Sequence, residues 1–266
     1  MCARMLRIEA DTAGLDRDFT VYDGGDQMTL VKECLKELGL SENTNVKPGA
    51  ILGLIGKAKE NLIGPESYRR HYGSSPMEDI AGSVYRIYQE RLHANNALDF
   101  DDLMMQAVLL LRQNTAVLAK YSERFRHVLV DEYQDTNKAQ YELVKALAGR
   151  HRNLCVVGDD DQSVYGWRGA NVRLILRFET DYPDAAIVKL EQNYRSTANI
   201  LEAAHAVVSK NRSRREKKLW TEAEAGELIH AHAANNEREE AMWVAERILD
   251  GRADKERRWQ DFTILY

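Results

Sequence analysis

Val128-Leu129-Val130-Asp131-Glu132-Tyr133-Gln134-Asp135-Thr136-Asn137 is the stretch on which the fold turns. A short β-branched run that delivers two adjacent acids to its carboxyl end reads as a buried strand followed by a polar loop. Working outward, residues 137–148 have a helical pattern, and Leu154-Cys155-Val156-Val157 is a second apolar run that ends in Gly158-Asp159-Asp160-Asp161. A third run at 186–190 precedes Glu191-Gln192-Asn193. Short strands alternating with helices predict parallel βαβ units, an α/β fold whose ligand crevice lies beyond the carboxyl ends of the strands. All three runs end in polar residues at that edge.

Upstream, the first 125 residues or so read as almost entirely helical. Met28, Leu30, Val31, Leu35 and Leu38 recur at helical spacing, as do Ile80, Val84, Ile87, Tyr88 and Leu92. Asp99 is placed to cap a helix carrying Phe100, Leu103, Met104, Ala107, Val108 and Leu111, and this N-terminus accounts for the acidic group Asp99, Asp101 and Asp102 better than a metal does. Lys47-Pro48-Gly49, Gly64-Pro65 and Gly73-Ser74-Ser75-Pro76 read as turns between helices. Downstream, a helix is expected from Ile200, a strand near Leu228-Ile229, a helix over 236–249 and a strand over 262–266. The basic stretch 212–218, interrupted by Glu216, reads as a solvated turn before it reads as a phosphate contact.

Composition sets the bounds. Across 266 residues, 44% hydrophobic and 30% charged side chains is the mix of a globular protein with a sizeable core. No apolar run approaches the roughly 20 residues that span a bilayer, and the first residues lack a secretory signal pattern. Cys2, Cys34 and Cys155 fit no metal spacing and read as reduced thiols, so a cytoplasmic location is expected. His151, His230 and His232 have no partners at ligand spacing. The net charge of -5 is not that of a chain coated in nucleic acid, yet a narrow groove can still hold a strand.

A strand ending in paired acids is the pattern that phosphoryl-transfer motors use, one acid holding Mg²⁺ and the next polarising water. A buried strand before a helix-capping Asp gives the same letters. Tyr165, Trp167 and Arg168 form a second constellation: two aromatics and a guanidinium that suit stacking on unpaired bases, or equally core anchoring.

Three blocks decide between these readings: Asp131-Glu132-Tyr133-Gln134-Asp135-Thr136-Asn137, Gly158-Asp159-Asp160-Asp161-Gln162-Ser163-Val164-Tyr165-Gly166-Trp167-Arg168-Gly169-Ala170, and Leu190-Glu191-Gln192-Asn193-Tyr194-Arg195-Ser196-Thr197. In this order and spacing they closely resemble the UvrD/PcrA/Rep-type superfamily 1 ATP-dependent DNA helicases. The likeness extends to Leu98-Asp99-Phe100-Asp101-Asp102-Leu103 and Lys217-Lys218-Leu219-Trp220-Thr221. The resemblance implies a RecA-like parallel-sheet motor domain with an all-α insertion, plus the start of a second RecA-like domain. It implies ATP and Mg²⁺ as cofactors and single-stranded or partly duplex DNA as partner, with 3′-to-5′ movement in repair or replication. By the same resemblance Asp131 and Glu132 serve the metal and the attacking water, Gln162 senses the γ-phosphate, Arg195 supplies an arginine finger and Tyr194 stacks on adenine. Tyr165, Trp167 and Arg168 become the DNA contacts.

One part is missing from these residues. Gly-x-x-x-x-Gly-Lys-[Ser/Thr], which cradles phosphates, does not occur. The nearest approach has Ile51 in place of the first glycine and Ala58 in place of the hydroxyl, within a stretch that reads as helix. In the resembled family the loop lies upstream of the matching segment, so the chain is expected to be truncated at both ends. The expected divisions are 1–21 and 95–187 for the first motor domain, 22–94 for the helical insertion and 188–266 for the second domain's beginning. Two rivals remain: the helicase subunit of a helicase–nuclease complex, and a catalytically dead remnant that binds single strands.

Overall fold

The computed structural model describes residues 1–41, 45–166, 169–211, 217–253 and 257–266. Trp167, Arg168, Arg212, Arg214 and Arg215 therefore lie outside the described residues. The chain divides into two compact units, one containing Met1–Val188 and the other beginning at Lys189.

In the first unit, α1 (Cys2–Ile8) and α2 (Ala10–Ala13) lead into β1 (Thr20–Tyr22). Four helices follow: α3 (Gly24–Glu37), α4 (Pro48–Glu60), α5 (Pro65–His71) and α6 (Pro76–Ala94). Proline stands in the first turn of α4, α5 and α6, where its missing N–H costs nothing. Asp23 and Ser75 cap α3 and α6 by accepting from backbone amides. Their inward stripes, among them Leu30, Val31, Ile51, Ile55, Tyr68, Val84 and Tyr88, form one helical core. The segment resembling a phosphate loop is the middle of α4, as its apolar spacing requires.

Next come β2 (Ala97–Asp99), α7 (Phe100–Gln113), α8 (Thr115–Arg124), β3 (Val128–Val130), α9 (Lys138–Ala148) and β4 (Leu154–Val156). Asp99 caps α7 through a bond from the Asp102 amide, 2.8 Å, as the sequence predicts. A second core gathers Met5, Leu6, Phe19, Leu98, Val108, Leu111, Tyr121, Leu143 and Leu147. β1 pairs with β2, and β3 with β4, both in parallel. Short helices α10 (Arg173–Leu176) and α11 (Phe178–Asp181) close the unit.

The mixed α/β class with parallel pairing is the one expected, but individual elements differ. β1 and β2 stand in a region that reads as almost entirely helical, because three-residue strands are too short to show a period of two. The runs at 186–190, 228–229 and 262–266 form no strand, and Val188, Leu190, Leu228 and Leu265 are exposed. A strand exists only where a neighbour completes its ladder, and an apolar run cannot supply that neighbour itself. Leu129 in β3 is 78% exposed, so the β3–β4 pair is covered on one face only among the described residues.

The second unit holds α12 (Ala198–Val208) and α13 (Glu237–Ala253), with one isolated parallel bridge between Gln192 and Trp220. The His232 ring stacks on Trp243 at 4.7 Å. Among the described residues no helix is long and apolar enough to cross a membrane.

Candidate nucleotide and nucleic-acid site

The parallel register of β3 and β4 brings their carboxyl ends side by side, Val130 opposite Val156. The pairing continues one residue further, with Val157 donating to the Val130 carbonyl at 2.8 Å and Tyr133 to the Val157 carbonyl at 2.9 Å. Asp131 and Glu132 are thereby carried to the edge predicted for them, and both are exposed. The chain turns sharply there. Glu132 adopts a left-handed backbone at φ 50°, a conformation costing roughly 1–2 kcal/mol for a residue with a Cβ. A 3-10 turn, Tyr133–Asp135, follows and buries Tyr133 against the Phe178 ring at 5.7 Å.

Gln134 is the residue that ties this edge together, and sequence reading passed over it as one letter of a motif. It is 1% exposed. Its Nε2 donates to Glu132 Oε2 at 2.7 Å, and its Oε1 accepts from the Asp159 amide at 2.9 Å. Asp159 in turn accepts from Gln162 Nε2 at 2.8 Å. A continuous hydrogen-bonded path, Glu132–Gln134–Asp159–Gln162, thus runs from the paired acids to the loop that continues into Tyr165. Gly158 makes the close approach possible: a Cβ there would lie 2.7 Å from Gln134 Oε1 and 2.8 Å from Ile175 Cδ1. The signal that could have found Gln134 is its type: a polar side chain between buried Tyr133 and the next helix must find partners.

Among the described residues, Asp131, Glu132 and Asp135 on one loop and Asp159, Asp160 and Asp161 on the other gather carboxylates at this edge, where a bound cation would ease the approach of an anionic triphosphate. Asp131 Oδ1 accepts from the Glu132 amide at 2.9 Å, and the residue is exposed. Among the described residues no group of three or more His, Cys, Asp or Glu is placed to hold a metal. Two adjacent carboxylates still suit Mg²⁺, which usually takes one or two carboxylates and completes its shell from phosphate oxygens and water.

Tyr165 is 43% exposed and so is not the core anchor that composition alone permitted. Trp167 and Arg168 carry no structural account. Within the second unit, Asn193 accepts from the amides of Arg195 and Ser196 at 2.9 and 2.8 Å, closing the turn before α12. Arg195 is exposed, and Tyr194 is 86% exposed, with its hydroxyl donating to Gln192 at 2.7 Å. Asn193 itself donates to the Trp220 carbonyl, and Trp220 to the Glu191 carbonyl, so the block 190–197 and the segment 217–221 are stitched together locally.

A parallel α/β unit thus presents paired acids at its strand ends beside a tethered glutamine. Comparison with known families places the chain. Residues 1–183 match the UvrD/REP helicase N-terminal domain, and residues 188–266 match the UvrD-like helicase C-terminal domain. The chain belongs to the UvrD/REP helicase family. Its relatives include the ATP-dependent DNA helicases PcrA of Bacillus subtilis, Leuconostoc citreum and Staphylococcus aureus, each 45% identical over all 266 residues. The chain spans 36%, 35% and 36% of those proteins, about a third of their length.

Proposed function

We propose that this chain is part of an ATP-dependent 3′-to-5′ DNA helicase and single-strand translocase that serves DNA repair or replication in the cytoplasm. The observation that carries the reading is the hydrogen-bonded path from Glu132 through Gln134 and Asp159 to Gln162. It joins the residues suited to hydrolysis to the loop suited to bases.

In this reading Asp131, helped by Glu132, would hold Mg²⁺, which when bound would offset charge on the nucleotide phosphates. Glu132 orients the attacking water. Gln162 reports the γ-phosphate, since an amide can bond both to phosphate and to water. Any change in Gln162 reaches Tyr165 within three residues. Arg195 supplies positive charge to the transferring phosphoryl group and Tyr194 a face for adenine. Tyr165, Trp167 and Arg168 hold unpaired bases, where stacking contributes on the order of 1–3 kcal/mol per base and tolerates any sequence. Residues 1–21 and 95–187 would form one motor domain, 22–94 its insertion and 188–266 the start of the next.

These 266 residues contain no phosphate-cradling glycine–lysine loop. The chain by itself is therefore expected to hydrolyse no ATP above background. Mg²⁺-dependent turnover abolished by Glu132→Gln would overturn that expectation. Binding to an oligo-dT strand tests the base-contact assignment. Trp167→Ala should weaken it by roughly tenfold, the equivalent of one lost stack. Unchanged affinity and salt dependence would defeat the assignment, and failure of the unaltered chain to bind would defeat the DNA reading.

A further inference from the structure

Outside the path just described, one carboxylate sits against the candidate base-binding loop. Gly169 has φ 79°, and a Cβ at this position would fall inside the Glu60 carboxylate. Glu60 is the last residue of α4, in the helical layer and more than a hundred positions away in sequence. Beside it Gly169 donates to the Gly166 carbonyl at 3.2 Å and Ala170 to the Tyr165 carbonyl at 3.3 Å.

We propose that Glu60 is a positioning residue for the loop bearing Tyr165, and that its charge state sets how well this loop accepts an anionic single strand. The inference rests on the DNA-binding reading above and adds a residue from a different layer of the fold. The contact is steric as well as electrostatic. The backbone at 169, with φ 79°, favours glycine, and the Glu60 carboxylate rests directly against it.

Among the described residues, the titratable groups acting on Glu60 or acted on by it are Asp101 from the first turn of α7 and Tyr72 beyond α5, with Lys57 and Lys59 its neighbours along α4. Asp101 reaches α4 one turn earlier, its Oδ2 lying 3.1 Å from where a Cβ on Gly56 would stand. Burial, and then the Asp101 charge, push Glu60 up to about 7. Burial together with the Asp99 charge pushes Asp101 up to about 6. Lys59 is held by Asp99 and Asp102, so its charge is already engaged. The Glu60 carboxylate, its pKa pushed up to about 7, thus lies directly beside the Gly169 backbone.

Affinity of the chain for oligo-dT, measured by fluorescence anisotropy from pH 6 to pH 8 at fixed salt, tests this. The unaltered chain should bind about threefold more weakly at pH 8 than at pH 6, the scale of one screened charge near a strand. Glu60→Gln should bind at pH 8 as the unaltered chain does at pH 6, with that step removed. Glu60→Ala should bind more weakly than Glu60→Gln at both pH values and speed amide exchange at Gly169 and Ala170, which Glu60→Gln should leave slow. A Glu60→Gln profile that overlays the unaltered chain would overturn the inference while leaving the DNA-binding reading intact. Absence of binding by the unaltered chain would overturn both.

Discussion

Removing the Gln134 amide while keeping its bulk, as Gln134→Met does, isolates the path between the two loops. Two hydrogen bonds are lost. The bond to Glu132 is charge-assisted, but Glu132 is exposed and regains water, so its loss costs about 1 kcal/mol. The Asp159 amide is half-buried and loses its acceptor, for about another 1 kcal/mol. A total near 2 kcal/mol should raise local opening about 30-fold, visible as faster amide exchange at Asp159 with little change at α7 or α9. Gln134→Glu is the partner experiment. Its carboxylate can still accept from Asp159 but opposes Glu132. Its pKa is raised by that opposition, so the variant should be destabilised at pH 7 and recover as the pH falls toward 5. Exchange at Asp159 within twofold of the unaltered chain in Gln134→Met, with no pH dependence in Gln134→Glu, would refute the coupling.

Lys59 is fully buried, 2.7 Å from Asp99 and 2.8 Å from Asp102, with Tyr88 donating to Asp99 at 2.9 Å. Lys59→Met leaves two buried carboxylates uncompensated and should cost about 3–5 kcal/mol in chemical denaturation; a loss under 1 kcal/mol would count against the ion pair's role. Asp101 and Glu60 bind protons more tightly folded than unfolded, their ordinary values being 3.8 and 4.5. Their contribution to stability is thus fully present below about pH 4 and is lost as the pH rises through about 6 and 7, a slope that Asp101→Asn with Glu60→Gln should flatten. Cys155 is exposed whereas Cys2 and Cys34 are buried, and burial pushes the Cys34 thiol up to about 11. A thiol reagent should therefore modify one cysteine quickly in the folded chain and all three in denaturant; rapid modification of Cys34 while folded would contradict its packing.

Much of the molecule was legible in the residues alone. Helical stripes announced α3, α6, α7, α9 and α12, and prolines and Asp99 marked where helices begin, because periodicity and capping are local physics. The blocks around Asp131, Gln162 and Arg195 identified the family, since their order and spacing leave few alternatives. Three matters depended on tertiary contact. Whether an apolar run becomes a strand is settled by a neighbour: 128–130 found one in 154–156, and 186–190 found none among the described residues. Asp99 and Asp102 cap a helix as expected, but their burial around Lys59, drawn from α4, could not be read from their own segment. Gln134 and Glu60 acquire meaning only through residues 25 and more than a hundred positions away. A sequence specifies which groups can donate, accept or carry charge; folding alone decides which of them are close enough for the Coulomb and hydrogen-bond terms to matter.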